Sequence, residues 1–201
     1  MRTSRNWQMV MVVLALMVAA VAMAQPAEQD WMATLHQAMP LMGHRNWVCI
    51  VDSAYPLQMS PGIETICTGA HQIDVVKAVL AEVGTFKHVR PTIFVDQELG
   101  FVPEADAPGI GAYQTDLKAA LAGAALGGAS TTAMQHEKII RMLDTAAKTF
   151  RVIILKTDLT LPYTSVFLRL DCGYWSDDAE AKMRAAMKAA EKPAKPGKHT
   201  Q

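Results

Sequence analysis

Two segments of the chain bring together side chains that move protons and grip hydroxyls. The first runs Gly43-His44-Arg45-Asn46-Trp47-Val48-Cys49-Ile50-Val51-Asp52-Ser53-Ala54-Tyr55-Pro56. It sets a histidine before a short apolar run and an aspartate directly after it. An imidazole titrates near neutral pH and so serves as either acid or base. A carboxylate at the carboxyl end of a strand stands where open α/β sheets bind ligands. The second segment, Thr157-Asp158-Leu159-Thr160-Leu161-Pro162-Tyr163-Thr164-Ser165-Val166-Phe167-Leu168, is a polar turn running into a last apolar strand. Its tyrosine can stack on a ring or donate a hydroxyl, and its serine both donates and accepts. A third point is His136-Glu137, a histidine at the head of a periodic segment. Each residue also has a plainer reading: His44 as a helix cap, Asp52 as a turn former, His136 as a solvent-facing residue, Tyr163 as packing beside Pro162.

The elements that position these groups alternate between helix and strand. Asp30 to Met42 carries Trp31, Leu35, Met39 and Met42 at intervals of three or four, an amphipathic helix capped by Asp30 that Pro40 can end early. Trp47 to Val51 reads as a buried strand and Ile63 to Cys67 as a second. Ile73 to Val83 has helical period and stops at Gly84. Thr92 to Val95 is a further strand, and Gly100 to Gly111 a loop. Asp116 to Leu126 is an Ala-rich helix, broken at Gly127-Gly128-Ala129-Ser130 and followed by a longer helix from Thr132 to Phe150. Arg151 to Lys156 and Ser165 to Leu170 are strands, and Asp177 to Lys192 is a polar helix before a Pro193 tail. This order predicts a three-layer α/β/α fold with a central mixed or mostly parallel sheet.

Several chemistries are missing. There is no GxGxxG, P-loop or GxSxG pattern. His136-Glu137 opens a zinc-protease motif, but Ile140 stands where its second histidine belongs. Charge is balanced, 19 basic against 19 acidic residues, so the basic surplus of a nucleic-acid binder is absent. The 51% hydrophobic content excludes an intrinsically disordered chain.

The first 24 residues have the pattern of a secretory signal peptide: Arg2 and Arg5, an apolar run from Met9 to Val21, then Ala22-Met23-Ala24. They predict a periplasmic or secreted protein that leaves the membrane after cleavage. Domain organisation follows as a leader over 1–24, an α/β domain over 25–175 and a polar helix with tail over 176–201. Cys49, Cys67 and Cys172 fit no zinc spacing and read as core thiols, with a Cys49–Cys67 bridge as the alternative.

The two motifs together resemble the ribose pyranase and fucose mutarotase family. Its members share a Gly-His start, an Asp eight residues later, a small residue and a Pro; Gly43, His44, Asp52 and Pro56 match without a gap. Their C-terminal signature, a Thr/Ser-Gly-Glu turn, Tyr-x-Asn and an aliphatic strand, is matched by Thr157, Tyr163 and Val166-Phe167-Leu168, with Pro162 shared by some members. A His-Glu pair before it corresponds to His136-Glu137, and the resemblance spans roughly 30–173. It implies His44 as the catalytic proton donor, and Asp52, His136 and Tyr163 as sugar contacts. Ser165 stands where the family has a sugar-binding Asn, and Leu159 where it has Glu.

The implied activity is interconversion of the ring forms or anomers of a free monosaccharide, with no metal, nucleotide or redox cofactor. The alternative is an exported monosaccharide-binding module without turnover, which the Leu159 and Ser165 departures favour. Family members act in the cytoplasm, as ring-shaped homo-oligomers, often decamers, with sites at subunit contacts. The residues point the same way. His44 and Asp52 flank a strand, and eight extended residues at ~3.3 Å each separate their backbones by about 25 Å, too far for one sugar to bridge. A pocket shared by two copies of the chain removes that conflict.

Overall fold

The computed structural model describes residues 30–124 and 130–191. The leader over 1–24, the break at Gly127-Gly128-Ala129 and the tail from Pro193 lie outside the described residues. Among the described residues are α1 (Trp31–Ala38), β1 (Trp47–Val51), β2 (Ile63–Cys67), α2 (Gln72–Gly84), β3 (Val89–Asp96), α3 (Ile110–Gly123), β4 (Thr131–Met134), α4 (His136–Ala146), β5 (Val152–Lys156), β6 (Val166–Cys172) and α5 (Asp177–Ala190). Short 3-10 turns occupy Met39–Leu41 and Gln97–Phe101.

The six strands form one mixed sheet in the order β2-β5-β1-β6-β3-β4. Strand β1 is parallel to β5, as are β2 to β5 and β3 to β4, whereas β6 runs antiparallel to both β1 and β3. All five residues of β1 are buried, as expected of an apolar run covered on both faces. Val48, Ile50, Leu155, Val166 and Leu168 pack against α1, α2 and α3 on one face. Trp47, Cys49, Ile154 and Phe167 pack against Ile139 and Leu143 of α4 on the other. The chain thus has the expected three-layer α/β/α architecture around a mixed sheet.

Local sequence explains most boundaries. The Asp30 carboxylate accepts the Ala33 N–H at 2.9 Å and starts α1, which tightens into a 3-10 turn at Pro40. Pro91 sits inside β3, opposite Leu170 of β6. Strand β4 begins only opposite Ile93, so on that side Pro91 has no neighbour to miss its N–H among the described residues.

Two expectations are corrected. Thr132 to Phe150 is not one helix. Its first residues form the edge strand β4, where the β-branched Thr131-Thr132 pair against β3, and α4 starts afresh at His136. Helix α4 also stops at Ala146, because the backbone of Gly62 enters there: its N–H donates to the Ala147 carbonyl at 3.2 Å, and a Cβ on Gly62 would collide with the Ala147 and Phe150 carbonyls. Nor are all three cysteines core residues. All are free thiols; Cys49 is buried, Cys172 half-buried, and Cys67 exposed at the end of β2.

Candidate functional site

The carboxyl ends of β1 and β3 and the start of β6 meet at one edge of the sheet. Antiparallel pairing sets Val166 against both Ile50 and Val95. One residue further, the same register sets Ser165 beside Val51 and Asp96. Strand alternation turns Asp96 and Ser165 toward the face that carries α4, the side of Phe94 and Phe167.

His136, the first residue of α4, reaches back to this edge. Its Nδ1 lies 3.0 Å from Asp96 Oδ1, and the Asp96 side chain is fully buried while His136 remains a quarter exposed. The Glu98 carboxylate accepts the His136 backbone N–H with both oxygens at 3.1 Å, a negative charge at a helix N-terminus. Burial raises the Asp96 carboxyl above its ordinary range, opposed by the hydrogen bond and charge of His136. That hydrogen bond in turn raises the His136 imidazole above its ordinary value, against the effect of its own partial burial. The Tyr163 ring stands edge-on to the His136 ring, 5.8 Å between centroids.

Tyr163 itself has φ 56°, in the left-handed region that non-glycine residues rarely adopt. Its turn is held from behind by a buried network. Gln72, at the start of α2, and Tyr113, on α3, both donate to the Thr164 carbonyl, Tyr113 at 2.6 Å. The Gln72 amide also donates to the Tyr113 oxygen at 2.8 Å, and its carbonyl accepts from Thr157 at 2.9 Å. Burial pushes the Tyr113 phenol up, so it stays protonated and keeps its proton for the Thr164 carbonyl. Thr157 reaches on to the Val51 carbonyl at 3.0 Å, one residue before Asp52. Asp52 forms a local turn, accepting the Ala54 N–H at 2.9 Å with Oδ1; Oδ2 accepts no hydrogen bond among the described residues.

Two polar atoms at this edge are buried and lack a partner: Asp96 Oδ2 and Ser165 Oγ. Orphan polar atoms are uncommon in native interiors, and these two lie together at one edge.

The structure therefore brings Asp52, His136, Tyr163 and Ser165 to one end of the sheet. It does not bring His44 there. His44 lies before β1, at the amino end of that strand, with Nδ1 3.8 Å from Asp171 Oδ1 at the end of β6. The length of β1, five residues at ~3.3 Å, stands between His44 and Asp52. The backbone at His44 is also unusual, since the next residue, Arg45, has φ 77°. Four contributors escaped the sequence reading: Asp96, Glu98, Gln72 and Tyr113. Asp96 was open to the rule that singled out Asp52, for it ends β3 as Asp52 follows β1.

No family model and no curated protein matches the chain. Among solved structures it is similar to RbsD of Bacillus subtilis complexed with D-ribose, at 13% identity and TM-score 0.48, over 69% of this chain and 92% of that one. It is similar to the fucose mutarotase of Streptococcus pneumoniae in complex with L-fucose, at 16% identity and TM-score 0.48, over 74% of this chain and 97% of that one. FucU from Bifidobacterium longum aligns at 16% identity and TM-score 0.41, over 69% and 94%. These neighbours are of the ribose pyranase and fucose mutarotase kind that the two motifs resemble. One expectation is corrected: nothing found supports a signal peptide or a periplasmic protein, and the export reading of residues 1–24 is withdrawn.

Proposed function

We propose that the protein interconverts ring forms or anomers of a free monosaccharide. The observation that carries this reading is the cluster at the carboxyl edge of the sheet: a hydrogen-bonded His136–Asp96 pair, the carboxylate of Asp52, the ring of Tyr163, and the unpartnered Asp96 Oδ2 and Ser165 Oγ. Carboxylates and hydroxyls set around an aromatic edge are what a polyhydroxylated ring needs for recognition.

Mutarotation opens and recloses a hemiacetal. A base takes the proton of the anomeric hydroxyl, the bond between C1 and the ring oxygen breaks, and an acid protonates that oxygen. After rotation about the C1–C2 bond the steps reverse, and no atom or electron is gained or lost. His44 is the proton donor that the motif resemblance implies, while Asp52, His136, Tyr163 and Ser165 hold the sugar. Because β1 separates His44 from the other four, the working pocket takes His44 from a second copy of the chain. Exposed aromatic side chains lie at both ends, Phe101 beyond β3 and Tyr174 and Trp175 beyond β6, and give such a contact apolar surface to bury.

A monosaccharide-binding module without turnover is the second reading. Leu159, where the family has Glu, is half-buried against the hydrophobic core rather than presented as a polar group.

Saturation-transfer NMR with pentoses and hexoses separates the readings: faster anomer exchange means an enzyme, binding alone means a module. For the shared pocket, His44→Ala and Asp52→Asn chains, each impaired alone, should regain part of the exchange activity once dissociated and reassembled together. A fully active monomer, or no recovery despite proven subunit exchange, rules the shared pocket out.

A further inference from the structure

On the α4 face of the sheet, away from the His136 cluster, a groove of about 470 Å³ runs between α4 and the strands β1 and β6. Its apolar floor is Trp47, Met142 and Phe150. Four cations surround it: Arg45, Lys138, Arg141 and Arg169. The chain as a whole is neutral, so this concentration does not follow from a basic composition. Compensation is partial. Arg169 meets Asp171 at 3.2 Å, and Arg141 meets the exposed Glu137 at 3.9 Å. Arg45 and Lys138 form no ion pair among the described residues.

The guanidinium groups are already oriented. Arg45 lies over the Phe150 ring and Arg169 over the Phe94 ring, each 5.6 Å from the centroid. The Nε–H of Arg169 is buried without a hydrogen-bond acceptor. Nε is closed to the groove, so an oxyanion there would meet the outer N–H groups of this side chain, which is 35% exposed. A second copy meeting this face like on like would set four cations against four. The charge therefore selects an anion, and the floor selects one with an apolar body.

We propose that this groove is a binding site for a small organic oxyanion, a phosphate or sulfate monoester whose non-polar part lies on Trp47, Met142 and Phe150. The site is separate from the sugar cluster, and the inference does not rest on the mutarotase reading.

The test is calorimetry on the full chain with three probes: phenyl phosphate, inorganic phosphate and phenol. Phenyl phosphate should bind at one saturable site and weaken as salt rises. Inorganic phosphate should bind at least about tenfold more weakly, since it leaves the apolar floor uncovered. Phenol, lacking charge, should show no saturable binding. Lys138→Gln with Arg141→Gln, both exposed on α4, should weaken phenyl phosphate about tenfold or more while the melting temperature holds. If that pair disturbs folding, Arg45→Gln on a different segment takes its place. Absence of saturable phenyl phosphate binding, equal binding of phenol, or unchanged affinity in the variants would overturn the proposal.

Discussion

The two ends of the sheet each carry a histidine beside an aspartate, and the pairs behave as different chemical objects. At the carboxyl end His136 and Asp96 are 3.0 Å apart, the carboxylate is fully buried, and Glu98 fixes the backbone of the histidine. At the amino end His44 and Asp171 are 3.8 Å apart and over half of the imidazole is exposed. In the first pair burial makes every charge dependent on its partner; in the second, water screens the interaction. Residue type alone thus does not make a site. At one end the pair is joined and buried within a single chain, and at the other the histidine stays exposed.

The comparison breaks most sharply at Asp96. Asp96→Ala removes the partner of a largely buried imidazole and should cost roughly 2–3 kcal/mol in urea unfolding, below the usual range for fully buried pairs because His136 keeps some exposure. Asp96→Asn sharpens the same point through pH. Because His136 is raised in the folded state, its pairing contributes fully below the unfolded imidazole value of ~6.5 and is lost as pH rises through the raised folded value. The raised Asp96 carboxyl has the same sign in its own range, which begins at the unfolded carboxyl value, since the folded state holds its proton more tightly than the unfolded chain. Wild-type stability should therefore fall as pH rises through the imidazole range. In Asp96→Asn, NMR titration should show a lower His136 pKa and unfolding should show that fall flattened or reversed. An unmoved His136 titration would mean that the pair is not coupled as the geometry indicates.

A smaller effect is expected from the network behind Tyr163. Tyr113→Phe leaves the Thr164 carbonyl with Gln72 as its remaining donor and should cost about 1–2 kcal/mol. Hydrogen exchange should quicken over residues 158–165 and not over 43–46, because the network reaches only the carboxyl end. Uniform change across both segments would show general loosening instead.

How far the sequence revealed this division depends on how local each signal is. The separation of His44 from Asp52 was legible, since an apolar run of five between them can only be a strand crossing a core. The mixed sheet, the cap at Asp30 and the two motif segments followed from local pattern in the same way. Asp96 follows its strand as Asp52 follows Val51, but its partner His136 lies 40 residues further on, and no local pattern joins the two. Gln72 could not be read as buried at all: a polar residue at a helix start is normally solvated, and only the approach of Tyr113, Thr157 and Thr164 from distant parts of the chain satisfies it. Tyr113 fell ahead of the predicted start at Asp116, for α3 begins at Ile110 after the left-handed Gly109. Strand β4 was masked because the helical period of α4 continues back through it, and its exposed edge has no apolar alternation.

The smallest effect is expected at Asp171, and its smallness is informative. Asp171 accepts the Thr92 hydroxyl at 2.8 Å and pairs with Arg169 at 3.2 Å, while His44 stays at 3.8 Å. An Asn there keeps an acceptor for Thr92 and gives up only charge. With His44 more than half exposed and Arg169 itself 35% exposed, each lost attraction is worth no more than about 1 kcal/mol. Asp171→Asn should therefore shift the urea midpoint slightly and leave sugar binding by the carboxyl-end cluster unchanged. What it should alter is His44 itself: without the Asp171 charge the imidazole loses its electrostatic tether, and its side-chain order should fall in NMR relaxation measurements. If anomer exchange depends on how His44 is aimed across a subunit contact, kcat should drop in this variant while KM holds. A loss of stability as large as that of Asp96→Ala would erase the distinction between the two ends, because it would require the amino-end pair to be as buried and as coupled as the one at His136.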